Sequence, residues 1–357
     1  MKNVADIDKN FKIENRVVKE DTVFYSIESA PFRIYGVYLD DGKYRRLPAD
    51  VARSVSDGVF NLHTHTAGGR VRFKTDSSYI IISAKMGARG EMSHFALSGS
   101  AGFDLYVKNE SGYGYVNSFI PPFSAKGGYD GIINLGGNEL RDITINFPLY
   151  SEVSALYIGL SDKAVLEKAD DYAIEKPIVY YGSSITQGGC ASRPGTCYPS
   201  LISRRFDCNY INLGFSGNAR GEREIEAYIK SLDMSVFVYD YDYNAPTTAH
   251  LAATHERMFR GIREAHPDIP IIMLSRPKYN LTESEAENRA VIENTYNNAL
   301  SAGDKNVYFI SGRELMAVAQ NEGTVDNCHP TDLGFFSMAR ALGELMEKII
   351  DKGDIRR

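Results

Sequence analysis

The chain has 357 residues, 43% of them hydrophobic, enough to fill one large core or two ordinary ones, and two domains is the expectation. Forty Lys and Arg against 46 Asp and Glu give a net charge of -6, and no basic cluster gathers on a predicted helix, so the electrostatic footprint of a nucleic-acid binder is excluded. No apolar run approaches membrane-spanning length, and the four cysteines are too few and irregular for a disulfide scaffold or a paired Cys-x-x-Cys zinc site.

From the N-terminus, Met1 to Asp8 is polar and acidic where a signal peptide needs a basic start and an apolar run. A cytoplasmic location is expected for the chain as it stands, and export if a leader has been removed. From about Phe24 to Leu160, short alternating or apolar runs follow one another, among them Val71 to Thr75, Tyr79 to Ser83, Phe103 to Val107 and Asp142 to Phe147. Turn signals such as Asp76-Ser77-Ser78 and Gly136-Gly137-Asn138 recur at the rhythm of an antiparallel β-sandwich. Residues 1–165 are therefore expected to form an all-β sandwich domain, with a polar linker from Ser161 to Pro177.

Beyond it, apolar strands at 178–181, 210–213, 235–239, 269–274 and 307–310 alternate with helical patterns near 197–206, 221–232, 247–265, 283–302 and 331–351. In the last helix Leu342, Leu345, Met346, Ile349 and Ile350 fall on one stripe. Near-continuous apolar strands with intervening helices imply a parallel sheet covered on both faces, so residues 166–357 read as an α/β domain. Ligands of such sheets sit beyond the C-terminal strand ends. Ser184 follows the first strand, Gly217 the second and Asn244 the third.

Those positions carry chemistry. Ser184 is placed where strand turns to loop or helix and can expose a hydroxyl, which needs a base to become a nucleophile. His329 is the candidate base, because Asp326 lies three residues before it and can fold back on the imidazole to fix its tautomer. Gly217, by its backbone amide, and Asn244, by its side-chain amide, are candidate oxyanion donors, with the amide of Ser184 itself as a third. Tyr241, Tyr243, Arg193 and Arg220 lie in loops near the expected pocket as candidate substrate contacts. Cys328 is expected as buried packing with its thiol turned away from the imidazole. Cys190 and Cys197 are expected as free thiols, with a bridge between them open to an exported protein.

Gly182-Ser183-Ser184-Ile185-Thr186, Gly217, Asn244 and Asp326-x-x-His329 resemble the four motif blocks of the SGNH, or GDSL-like, hydrolases over roughly residues 177–350. The resemblance implies a three-layer α/β/α, flavodoxin-like domain with Ser184 as nucleophile, Asp326 and His329 completing the triad, and Gly217 and Asn244 in the oxyanion hole. Ser183 departs from the family, whose name-giving motif usually has Asp there, and this bears on the fine geometry of the loop. Gly102-Phe103-Asp104-Leu105-Tyr106 resembles the Gly-x-Asp-Leu-Tyr signature of a jelly-roll-like β-module that precedes some SGNH esterase domains.

Other constellations are weaker. His63-Thr64-His65 lacks a third ligand at useful spacing and reads as surface or satisfied histidines. His255-Glu256 lacks the second histidine of a zinc protease, and no phosphate loop occurs, so neither metal nor cofactor is expected. The absence of a Gly-x-Ser-x-Gly elbow argues against the α/β-hydrolase family. The expectation is a serine esterase acting on small acyl groups, acetyl esters of carbohydrates above all, with a small-molecule or carbohydrate partner, no nucleic acid and no membrane. An acyltransferase using the same acyl-enzyme and a non-catalytic carbohydrate-binding protein are the alternatives, and a homo-oligomer is left open.

Overall fold

The structure, a computed structural model, describes residue 17 and residues 19–355; the acidic Met1 to Asp8 segment lies outside the described residues. The chain divides into two compact units. The first takes residues up to Arg46, Thr64–Asp171 and Ser192–Gly195, and the second takes Leu47–His63, Tyr172–Ala191 and the chain from Thr196 onward. A single boundary at 165/166 therefore does not describe the path of the chain.

In the first unit, one antiparallel sheet consists of β1 (Thr22–Ser26), β11 (Ser151–Ser161), β6 (Tyr79–Arg89) and β9 (Gly128–Asn134), in that order. The other runs β12 (Leu166–Glu167), β5 (Arg70–Thr75), β10 (Arg141–Asn146), β7 (Phe103–Asn109) and β8 (Gly112–Phe119), with β2 (Arg33–Tyr35) also on β5. A small hairpin joins β3 (Tyr38–Asp40) and β4 (Lys43–Arg45). Alternation builds the core, because side chains two apart share a face. Ile143 pairs with Phe73 and Val107, and Ile145 with Val71 and Leu105. Together with Ile80, Ile82, Leu156 and Ile158 of the other sheet they form one cluster, buried except for the partly exposed Val107 at its margin, which makes the unit a sandwich.

On the other face of β7, Asp104 and Tyr106 hold the returning segment Ser192–Gly195. The buried Asp104 carboxylate accepts from the Gly195 amide at 2.7 Å, Arg193 at 3.1 Å and Asn146 at 2.7 Å. Tyr106 accepts from Arg193 as well, and the guanidinium lies 3.7 Å from the Tyr115 ring centroid. A Cβ at Gly195 would fall 2.3 Å from the Tyr106 hydroxyl, so only glycine fits. The expected linker is ordered: β12 pairs with β5, and Ala169 is buried.

The second unit has a parallel sheet of β14 (Cys208–Gly214), β13 (Ile174–Gly182), β15 (Val236–Asp240), β16 (Ile271–Leu274) and β17 (Val307–Ile310), in that order. Relative to the chain this is order 2-1-3-4-5, which has a topological switch point beside its first strand. One face of the sheet, with Val179, Tyr181, Phe237, Tyr239 and Ile271, shares a core with residues of α1 (Ala49–Val55), α2 (Asp57–Leu62), α5 (Arg223–Ser231) and α6 (Thr248–Ala265). Elsewhere in the unit α4 (Tyr198–Phe206) packs against α8 (Asp332–Asp351), and α7 (Glu283–Ser301) against α6. Helices α1 and α2 correct the all-β expectation for residues 1–165. Val51, Val55 and Val59 recur at helical spacing, and Ser56 caps α2 by accepting from the Val59 amide at 3.1 Å. Among the described residues no helix is long and apolar enough to cross a membrane.

Candidate active site

Three strands of the second unit end level with one another. Gly182 is paired with Gly214 on one side and with Asp240 on the other, so the segments that follow β13, β14 and β15 emerge at one edge of the sheet. After Gly182 the chain turns at once into α3 (Ser184–Gln187), capped by the Ser183 hydroxyl, which accepts from the Ile185 amide at 3.2 Å. The turn is too tight for a side chain at 182: a Cβ there would lie 2.2 Å from the Thr186 hydroxyl and 2.3 Å from the Asp240 carbonyl.

The turn is fixed from two sides. Gln187, fully buried, accepts from the Ser216 amide at 3.0 Å, and Asn212 donates to the Thr186 carbonyl at 2.7 Å. Thr186 donates to the Asp240 carboxyl at 3.3 Å. Burial pushes the Asp240 carboxyl well above the usual carboxylate range, and the neighbouring Asp242 reinforces the shift.

Ser184 Oγ lies 2.9 Å from His329 Nε2, and His329 Nδ1 lies 2.7 Å from Asp326 Oδ2. The other oxygen, Asp326 Oδ1, accepts from the amides of Cys328 at 3.1 Å and His329 at 2.7 Å. The loop closes on itself through the Val325 amide, which donates to the His329 carbonyl at 2.9 Å, while Asn327 takes a left-handed φ of 65°. Burial pushes the Asp326 carboxyl up, but the hydrogen bonds from the His329 ring and backbone outweigh it and hold the group below its ordinary value. A carboxylate can only accept, so Nδ1 carries the proton and Nε2 is left to accept from serine.

Gly217 has a left-handed φ of 71°, with open space where a Cβ would be. Among the described residues its amide makes no hydrogen bond. Asn244 reaches back from the end of β15 and donates to the Phe215 carbonyl at 3.1 Å. The loop bearing Asn244 is anchored by Arg276, just past β16. Its backbone amide and Nε hold Asp242 Oδ2 at 3.2 and 3.1 Å, and its guanidinium lies 4.4 Å from the Tyr243 ring centroid. Glu285 in turn receives Arg276 at 3.3 Å and Lys278 at 2.8 Å.

The remaining candidates divide. Tyr243 is half-buried beneath Arg276, whereas Tyr241 is core, its hydroxyl on Thr254 at 2.9 Å. Arg220 is exposed and folds onto the Gly217 carbonyl at 3.3 Å. Arg193 belongs to the first unit, spent on Asp104 and Tyr106. His63 is buried against Phe60, and His65 lies beside Tyr150. All four cysteines are free thiols. Cys328 corrects the sequence reading: it is half-buried, and its sulfur lies within 4.8 Å of both an Asp326 oxygen and a His329 nitrogen. Sequence reasoning missed Gln187, Asp240 and Arg276. Of these only Gln187 carried a signal, one turn after the candidate nucleophile.

Two family models match the chain: the GDSL-like lipase/acylhydrolase family over residues 175–347, and the GxDLY N-terminus of SGNH-hydrolase-type esterases over residues 22–166. No curated protein matches it. Among solved structures, a GDSL-like lipase from Bacteroides ovatus is 28% identical with a TM-score of 0.83, over 92% of this chain and 98% of that one. A salicylyl-acyltransferase from a tetracycline biosynthetic pathway is 18% identical with a TM-score of 0.75, over 93% and 98%. An acetyl xylan esterase from Butyrivibrio proteoclasticus is 12% identical with a TM-score of 0.59, over 92% and 99%. With both halves matched in the expected order and the hydroxyl, imidazole and carboxylate in line, residues 175–347 are a GDSL-like (SGNH) ester hydrolase domain, preceded at 22–166 by the GxDLY N-terminal module of such esterases.

Proposed function

We propose that the chain is a serine esterase that removes small acyl groups, acetyl in the first place, from carbohydrate hydroxyls. The observation that carries the reading is the relay from Ser184 Oγ to His329 Nε2 and from Nδ1 to Asp326, at 2.9 and 2.7 Å. In the first half-reaction Ser184 Oγ bonds to the ester carbonyl carbon while its proton passes to Nε2. Negative charge gathers on the former carbonyl oxygen, where the amides of Ser184 and Gly217 and the side chain of Asn244 receive it. Collapse breaks the ester C–O bond, and the alcohol leaves with the proton from Nε2. Water then repeats the sequence on the acyl-enzyme, releasing the carboxylic acid and restoring the serine.

The carbohydrate assignment is supported by the likeness of the whole two-part chain to the acetyl xylan esterase. The likeness to the salicylyl-acyltransferase favours a second reading, in which an alcohol replaces water in the second half-reaction. Hydrolysis of 4-nitrophenyl acetate, longer nitrophenyl esters and acetylated xylo-oligosaccharides tests both. Ser184→Ala is expected to lose roughly 10³-fold or more in rate, and equal rates for variant and wild type would end the hydrolase reading. Product partition with added alcohols distinguishes water from alcohol as acceptor.

A further inference from the structure

Thiols flank His329. Within the Asp326–His329 loop the Cys328 sulfur, an Asp326 oxygen and an imidazole nitrogen all lie within 4.8 Å of one another, and the Cys190 sulfur is equally near an imidazole nitrogen. Both cysteines are half-buried and free, and ester hydrolysis as proposed above uses neither.

Thiolate, imidazole and carboxylate are the donor set of a tetrahedral soft ion. Bonds of about 2.0–2.3 Å would set such donors roughly 3.3–3.8 Å apart, so the carboxylate would open from its 2.7 Å bond to Nδ1 while the sulfur need draw in from no more than 4.8 Å. The neighbouring cations do not oppose an incoming one strongly, since Arg276 is paired with Asp242 and Glu285, and Lys278 with Glu285.

We propose that Asp326, Cys328 and His329 form a binding site for a soft divalent cation of the Zn²⁺ or Cd²⁺ kind, and that filling it switches the ester site off. On binding, the Cys328 thiol gives its proton to solvent, and the imidazole moves its proton from Nδ1 to Nε2 so that Nδ1 can ligate. The Asp326 carboxylate passes from that N–H to the ion. One proton is released per ion, and the dication is matched by one thiolate and one carboxylate. An Nε2 that carries a proton cannot take one from Ser184, so the serine loses its base. This last consequence rests on the catalytic reading above, whereas the binding itself rests on the loop alone.

The test uses the full chain stripped of metal by EDTA and dialysis. Micromolar ZnCl₂ or CdCl₂ is expected to lower nitrophenyl acetate hydrolysis by about tenfold or more, reversibly by EDTA, while MgCl₂ leaves it unchanged. Cys328→Ser is expected to raise the half-inhibiting Zn²⁺ concentration at least about tenfold, each protein being compared with its own metal-free rate. Added to Ser184→Ala protein, Co²⁺ should give a thiolate-to-cobalt absorption band that the Ser184→Ala, Cys328→Ser double variant lacks. Because the band needs no hydrolysis, it separates failure of this site from failure of the esterase reading. Absence of the band from Ser184→Ala, or Zn²⁺ inhibition of Cys328→Ser equal to that of wild type, overturns the proposal.

Discussion

Ser183 stands where the motif of the family usually has aspartate, and its place in the turn accounts for the exchange. Its buried hydroxyl caps α3 through the Ile185 amide at 3.2 Å, and Ser and Asp are near-equal N-caps, so the turn that presents Ser184 keeps its geometry. Asp326 is more than a third exposed, at 37%, so solvent screens its charge and its main service is to hold the imidazole tautomer. Asp326→Asn is accordingly expected to lower kcat by roughly 10²–10⁴-fold while KM changes little. Steady-state kinetics on nitrophenyl acetate check this, and a change confined to KM would contradict it. The meeting of Ser184, His329 and Asp326 could be read from motif order and the three-residue spacing. The orientation of Cys328 could not, because the left-handed Asn327 breaks the regular alternation by which a neighbour's side chain would be placed.

Between residue and fold stands the clamp at the C-terminal end of β16, invisible in sequence because an arginine after a strand has no signature. Arg276 holds the Asp242–Asn244 loop, and Glu285, on the first turn of α7, holds Arg276 and Lys278 while closing a capping box with Thr282. Burial pushes the Glu285 carboxyl up, but Lys278 and the Thr282 bonds outweigh it, and the group is held down to about 2 against an ordinary 4.5. A depressed acid stabilises the fold fully above its unfolded value, and the contribution disappears as pH falls from 4.5 towards 2. Full linkage of that depression is roughly 3 kcal/mol, and solvent screening of the partly exposed group reduces it, so Glu285→Gln is expected to cost about 2 kcal/mol at pH 7. The gap between variant and wild type should close over that acid window in urea unfolding. A gap that is independent of pH would show that Glu285 acts through packing instead. Helices α1 and α2 teach the same lesson differently. Their periodicity and the Ser56 cap were local and readable, but they sat inside a strand-rich stretch.

At the scale of the whole molecule, both architectures were legible. Period-two runs with frequent turns gave the sandwich, and apolar strands alternating with helices gave the parallel sheet. What escaped was the path of the chain: residues 47–63 join the second unit and 192–195 the first. Such exchanges rest on contacts distant in sequence. Asp104 meets Gly195 across 91 positions, which no local pattern encodes. The GxDLY signature was recognisable, but only the structure gives its reason, since its Asp and Tyr clasp Arg193 and Gly195. In the second unit, the strand order brings Gly182 level with Gly214 and Asp240, and this register gathers chemistry scattered from Ser184 to Asn244. We propose Ser184 as the nucleophile and His329 as its base. Labelling the intact chain with a fluorophosphonate and locating the adduct by peptide mass spectrometry tests this assignment. One phosphonyl group is expected, on Ser184, with labelling strongly slowed in His329→Ala; an adduct on another residue, or labelling as fast without His329, would rule these roles out.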